Sequence, residues 1–187
     1  MNPCQRRLLP LLVSALALIG CALRACHAGA AESDPQIRLD ADYPGGNILV
    51  ERMDGDKIHI RQDLRDTSTW WFWWNFRVRG AAGRTLTFQF AGENPIGVLG
   101  PALSRDDGGS WSWLGAESAQ GALFRYAFAP QESSVRFAFA VPYQQSDFDA
   151  FVAAHQERVT RGQLQISRLC QSRKGRPVPL IHVAEPQ

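Results

Sequence analysis

Residues 69–80 read TWWFWWNFRVRG, which puts four of the chain's six tryptophans and two of its ten phenylalanines in one short stretch. That much aromatic surface must be buried or occupied, so any fold of this chain has to be built around it. At a period of two the stretch is a β-strand. Phe72, Trp74, Phe76 and Val78 share one face, and Trp71, Trp73, Asn75, Arg77 and Arg79 share the other. The first face is the candidate core. The second changes from aromatic to basic along its length. With Tyr143, its residues Trp71, Trp73, Arg77 and Arg79 form the candidate ligand or domain-interface face.

The rest of the chain repeats the period-two signal many times. Residues 37–42, 48–51 and 57–61 read as short strands of a meander, separated by Tyr43-Pro44-Gly45-Gly46-Asn47 and by Asp54-Gly55-Asp56. Ala81-Ala82-Gly83 then predicts a hairpin into Thr85-Leu86-Thr87-Phe88-Gln89-Phe90, a half-solvated strand of an antiparallel sheet. Phe124, Tyr126 and Phe128 line a later strand, and Val135, Phe137, Phe139 and Val141 the next. Frequent strands with no helical pattern between them predict a mainly β fold, an antiparallel β-sandwich.

Near the end the period changes. Ser146 as N-cap and Phe148, Phe151, Val152, His155 and Val159 at helical spacing predict one amphipathic helix over about residues 147–160. A C-terminal hairpin follows, turning at Ser172-Arg173-Lys174-Gly175-Arg176. Between these parts, Ser104-Arg105-Asp106-Asp107-Gly108-Gly109-Ser110-Trp111 fits the Asp-box pattern. In that turn Ser and Asp side chains bond the nearby backbone and the tryptophan anchors the loop. One copy reads as local structure, since propellers carry several.

The N-terminus has the three parts of a secretory signal: Arg6 and Arg7, an apolar run over 8–19, and small residues ending at Ala28-Gly29-Ala30. Cleavage after Ala30 would release a soluble protein. Leu18-Ile19-Gly20-Cys21 also fits a lipobox, in which Cys21 would receive lipid and tether the chain to a membrane. Three of the 20 basic residues lie in the signal and none of the 18 acids does, which leaves 17 against 18 in the body. A nearly neutral body gives no electrostatic motive for nucleic acid. Cys170 is the one cysteine outside the signal region, so a soluble mature form has no internal disulfide.

Four local patterns, in order, carry a family resemblance: Leu64-Arg65-Asp66 leading into Trp71-Phe72-Trp73-Trp74-Asn75-Phe76-Arg77-Val78; Asp107-Gly108-Gly109-Ser110-Trp111; Phe137-Ala138-Phe139-Ala140-Val141-Pro142-Tyr143 with Ser146-Asp147-Phe148; and Ser172-Arg173-Lys174-Gly175-Arg176-Pro177-Val178. Over roughly residues 40–181 the chain resembles the N-terminal β-sandwich domain of the cytosolic-carboxypeptidase-like branch of zinc carboxypeptidases. The resemblance implies an accessory sandwich over 31–165 and, over 166–187, the first hairpin of a catalytic carboxypeptidase domain that is absent here. It also implies a peptide substrate for the intact enzyme, zinc in that enzyme, and an inactive chain on its own. His182 and Glu185 have His-x-x-Glu spacing, but they precede the place where the family carries its metal motif, and only two residues follow them. The expectation is therefore no cofactor in this chain. Export with tryptophans on a sheet leaves a second reading open, a carbohydrate- or peptidoglycan-binding sandwich.

Overall fold

The computed structural model describes residues 36–65, 67 and 72–184; the signal region with Cys21, Trp71 and Glu185 lie outside them. Two five-stranded sheets face each other. The first runs β1 (Arg38–Asp40), β4 (Asn75–Arg79), β10 (Ser134–Ala138), β6 (Ala102–Ser104), β7 (Ser112–Trp113); the second runs β2 (Leu49–Asp54), β3 (Lys57–Arg61), β5 (Thr85–Phe90), β9 (Leu123–Ala127), β8 (Ala119–Gln120). The expected mainly β sandwich is present. Its pairing is antiparallel except between β3 and β5, where Lys57 to Ile60 run parallel to Thr87 to Phe90.

The alternating residues meet between the sheets. Phe76 and Phe137 come from the first sheet and Phe88 and Phe124 from the second, all fully buried. Phe88 lies 4.7 Å from Phe124, 5.4 Å from Phe76 and 5.5 Å from Phe137, centroid to centroid, and Phe124 lies 5.4 Å from Phe137. Trp74 extends this cluster, stacked on Phe124 at 5.9 Å and tilted against Phe90 at 4.9 Å. Its indole N–H donates to the Pro95 carbonyl at 3.0 Å, which satisfies the one polar atom a buried tryptophan brings.

Three local expectations are corrected. The turn at Ala81-Ala82-Gly83 does not close a hairpin: it carries the chain from β4 in one sheet to β5 in the other, with the Arg84 N–H on the Ala81 carbonyl at 3.0 Å. That arch lets the apolar faces of β4 and β5 oppose each other across the core. The opening strands are not a meander either, because β1 pairs with β4 while β2 and β3 form a hairpin in the other sheet. Phe72 is not a core residue. Strand β4 begins only at Asn75, so the alternation does not extend back to Phe72, which is 48% exposed with its ring 5.7 Å from Phe139.

After the sandwich, α1 (Gln145–Ala154) and α2 (Gln156–Thr160) replace the single expected helix. The helix starts earlier than Ser146 because Gln144 takes the cap, its N–H donating to Asp147 Oδ2 at 2.6 Å. His155 breaks the run, with its Nδ1 2.8 Å from the Phe151 carbonyl and its ring 4.4 Å from that of Phe151. The antiparallel ribbon of β11 (Leu164–Gln171) and β12 (Pro177–Val183) follows, bulged between Arg168 and Cys170. Only Leu164 of this ribbon is buried.

This division of aromatic residues predicts unequal costs of truncation. Phe124→Ala, which empties a site ringed by Trp74, Phe88, Phe90 and Phe137, should cost about 3–5 kcal/mol. Phe72→Ala should cost under ~1 kcal/mol. Urea unfolding followed by tryptophan fluorescence compares the two, and equal losses would contradict the assigned strand start.

Candidate functional site

The outward face of the first sheet, where the sequence places its basic residues, is a connected polar cluster. The register puts Asp40, Arg77, Arg136 and Ser104 side by side across β1, β4, β10 and β6. Two guanidiniums on adjacent strands repel unless acids intervene. Asp40 provides one, accepting from Arg77 Nη2 at 2.9 Å and from Arg79 Nη1 at 2.9 Å. Asp107 provides the other, 3.1 Å from Arg77 Nη1 and 2.7 Å from Arg136 Nη2. Tyr43 lies over the same pair, with the Arg136 guanidinium carbon 4.2 Å and that of Arg77 5.3 Å from its ring centroid. Burial pushes the Tyr43 phenol well up, against the opposing pull of Arg136, so it stays protonated and donates to Asn75 Oδ1 at 3.0 Å. Arg136 Nε and Asn75 Nδ2 are buried in this cluster without a hydrogen-bond partner among the described residues.

Asp107 reaches the sheet because the Asp-box builds its loop as the pattern predicts. Strands β6 and β7 pair on either side of it. Asp106 Oδ1 accepts from Ser104 Oγ and from the Ser110 N–H, both at 2.8 Å, and Oδ2 accepts from Ser110 Oγ at 2.6 Å. Those bonds, Ser110's hydroxyl first, hold the Asp106 carboxyl well below the usual carboxylate range. Trp111 closes the loop through its indole N–H on the Gly108 carbonyl at 3.1 Å. Gly108 is required here: its φ is +100°, and a Cβ would lie 2.9 Å from Arg136 Nη1. Asp107 itself sits at φ +61°. Desolvation pushes its carboxyl up, but Arg77 and Arg136 together outweigh that and hold it down.

Of the residues singled out from sequence, the fold brings Arg77 and Arg79 together on one acid, and both are spent on internal ion pairs. Trp73 is half-buried, with its indole N–H on the Gly45 carbonyl at 2.9 Å. Tyr143 is 69% exposed in the segment that leads into α1. His182 is exposed on β12 opposite Gln165, and its companion Glu185 lies outside the described residues, as does Trp71. Asp40, Tyr43, Asp107 and Arg136 were missed as a group. Arg136 stood between the apolar Val135 and Phe137, an outward position, and Asp107 is an acid the Asp-box itself does not use; these were the available signals.

Among the described residues the donor set does not fit a zinc ion: no three of His, Cys, Asp and Glu converge on one point. His59 instead has Nε2 3.0 Å from Arg52 Nη2, and His155 turns to the Phe151 carbonyl.

The family model of the cytosolic carboxypeptidase N-terminal domain matches residues 39–140, more than half of the chain. The chain belongs to this family. No curated protein matches the chain. Solved structures of similar fold include a putative carboxypeptidase from Burkholderia mallei, with TM-score 0.66 and 22% identity over 86% of this chain and 42% of that one. A metallo-carboxypeptidase from Burkholderia cenocepacia gives 0.59 and 20% over 81% and 40%. A metallo-carboxypeptidase from Pseudomonas aeruginosa, in complex with (2-guanidinoethylmercapto)succinic acid, gives 0.54 and 25% over 80% and 40%. This chain thus spans about two-fifths of each. Since 86% of 187 residues is about 161, at least 21 of the aligned residues lie beyond the end of the family match at 140.

Two outcomes test the polar cluster. Asp107→Asn leaves Arg77 and Arg136 facing each other and should lower stability by up to about 1 kcal/mol, the ceiling for a partly solvated pair. The double variant with Arg136→Met should recover part of that loss in a double-mutant cycle. In the acid range, Asp106, Asp107 and Glu132 all have folded pKa values below their unfolded ones. Their stabilisation is complete above the unfolded carboxyl pKa of about 4 and is lost as pH falls through the folded values. The urea midpoint of the wild type should therefore fall more steeply from pH 5 to about pH 2 than that of an Asp106→Asn/Asp107→Asn variant.

Proposed function

We propose that this chain is the accessory β-sandwich of an exported zinc metallocarboxypeptidase, an enzyme that removes C-terminal residues from peptides. In this reading residues 31–165 form the accessory sandwich, and residues 166–187 are the first hairpin of the catalytic domain, which acts beside it. The observation that carries the reading is the family match over 39–140 within a fold shared over 81% and 86% of this chain with a metallo-carboxypeptidase and a putative carboxypeptidase, each more than twice as long. The exposure of the ribbon agrees with it. Ile166, Leu169, Ile181 and Val183 present apolar area that a catalytic domain would cover, with Leu169 60% and Val183 80% exposed.

The sandwich contributes rigidity rather than chemistry. Its aromatic core and the Asp40–Arg77–Arg136–Asp107 cluster fix the first sheet, and the chain leaves that sheet at Ala138 to enter α1. Zinc and the groups that activate water belong in this reading to the catalytic domain. A sugar-binding alternative gains nothing from the described tryptophans. Trp74 is buried, Trp73 and Trp111 hydrogen-bond to backbone carbonyls, and Trp113 is 42% exposed on a two-residue edge strand.

Chain tagged and purified from its native host should carry peptidase activity that releases the last residue of a peptide with a free carboxylate, spares the amidated peptide and stops on zinc chelation. Preparations with neither peptidase activity nor a peptidase polypeptide would sink the reading. Export is tested separately: fused to alkaline phosphatase, residues 1–40 should give periplasmic activity. Mass spectrometry then distinguishes a mature N-terminus at Ala31 from a lipid-modified Cys21, and an intact Met1 would remove export.

A further inference from the structure

Between α1 and the ribbon lies an open groove of about 640 Å³. Phe148 of α1, Ile166 of β11 and Pro177 and Pro179 of β12 give it an apolar wall, and Arg168 and Arg176 line it beside them. Among the described residues no carboxylate lines it. Neither arginine takes part in an ion pair among the described residues, in contrast to Arg77, Arg79, Arg105 and Arg136. Apolar area with two uncommitted guanidiniums is complementary to an occupant that presents an apolar and an anionic group side by side. Backbone is available to it as well. Strand β11, which supplies Ile166, Ser167 and Arg168 to the groove, is paired on one side only among the described residues. An extended peptide uses such an edge for main-chain hydrogen bonds and places alternate side chains in the adjoining depression.

We propose that this groove is a docking site for an extended peptide segment in which an acidic residue stands two positions from an apolar one. The apolar side chain packs on Phe148, Ile166 and Pro179, and the carboxylate is held by Arg168 and Arg176. The segment's origin, which we assign to the catalytic partner, rests on the accessory-domain reading; the groove's preference for that chemistry does not. The docking surface is then the C-terminal ribbon with α1, not the Arg77 and Arg79 face, whose guanidiniums are already paired with Asp40 and Asp107.

The test is a titration of the full ¹⁵N-labelled chain with three terminally blocked pentapeptides, Ser-Leu-Ser-Glu-Ser, Ser-Leu-Ser-Gln-Ser and Ser-Leu-Ser-Lys-Ser, followed by amide shifts. The glutamate peptide should move amides of residues 145–148, 166–168 and 176–180. The glutamine peptide should bind about tenfold more weakly and the lysine peptide not at all. Arg168→Ala with Arg176→Ala should abolish the preference, and Arg168→Lys with Arg176→Lys should restore part of it, which controls for loss of fold. Equal binding of all three peptides, shifts confined to other surfaces, no shifts, or an unchanged preference in the alanine variant would each overturn the proposal. If no peptidase polypeptide accompanies the chain but the glutamate peptide binds as described, the accessory-domain reading falls and the groove stands; the reverse result overturns the groove alone.

Discussion

The interlocking of Phe76, Phe88, Phe124 and Phe137 is the interaction on which the other features of the sandwich depend. Each ring belongs to a different strand, two from each sheet, and their centroids lie 4.7–5.7 Å apart in the pairs that touch. Such contacts add to the burial of the rings themselves and favour one relative placement of the sheets. With no disulfide among the described residues, that placement rests on packing. Everything outward of it inherits its geometry. Arg77 and Arg136 can share Asp107 only because Phe76 and Phe137, one residue along each strand, are locked in the same register.

The two faces of the first sheet therefore do different work. The inner face stabilises by excluding water. The outer face is polar and its charges are paired: acids from β1 and from the Asp-box loop bridge the guanidiniums, and a tyrosine ring covers them. A row of arginines on a strand reads from sequence as a basic surface, yet here the same charges hold the loop of residues 105–111 against the sheet. What stays uncommitted lies beyond the sandwich, on α1 and the ribbon.

Much of this was legible in the residues, and the parts that were not have identifiable causes. The alternation at 75–79, 85–90, 123–127 and 134–138 marks inward positions correctly, and the Asp-box forms as its pattern requires. Sheet membership was not legible. Both sheets of a sandwich face one core, so each strand shows the same alternation whichever sheet it joins, and a short arch such as residues 81–83 has the composition of a hairpin turn. The aromatic run misled at Phe72 for a related reason: large residues continue past the point where hydrogen bonding starts, at Asn75. The polar cluster was half visible. Arg77 and Arg136 occupy outward positions, but that Asp40, Tyr43 and Asp107 arrive there follows from register and loop geometry, which no local pattern encodes.

The parallel pairing of β3 with β5 has a topological consequence. Parallel neighbours cannot be joined by a tight turn, so the chain must leave the second sheet after β3, lay down β4 in the first, and return. The two layers are thus sewn together by the backbone. Neither sheet can be completed before the other has begun, and a cut in the β4 segment would unstitch both. Such threading makes the pairing non-local in sequence, which slows folding.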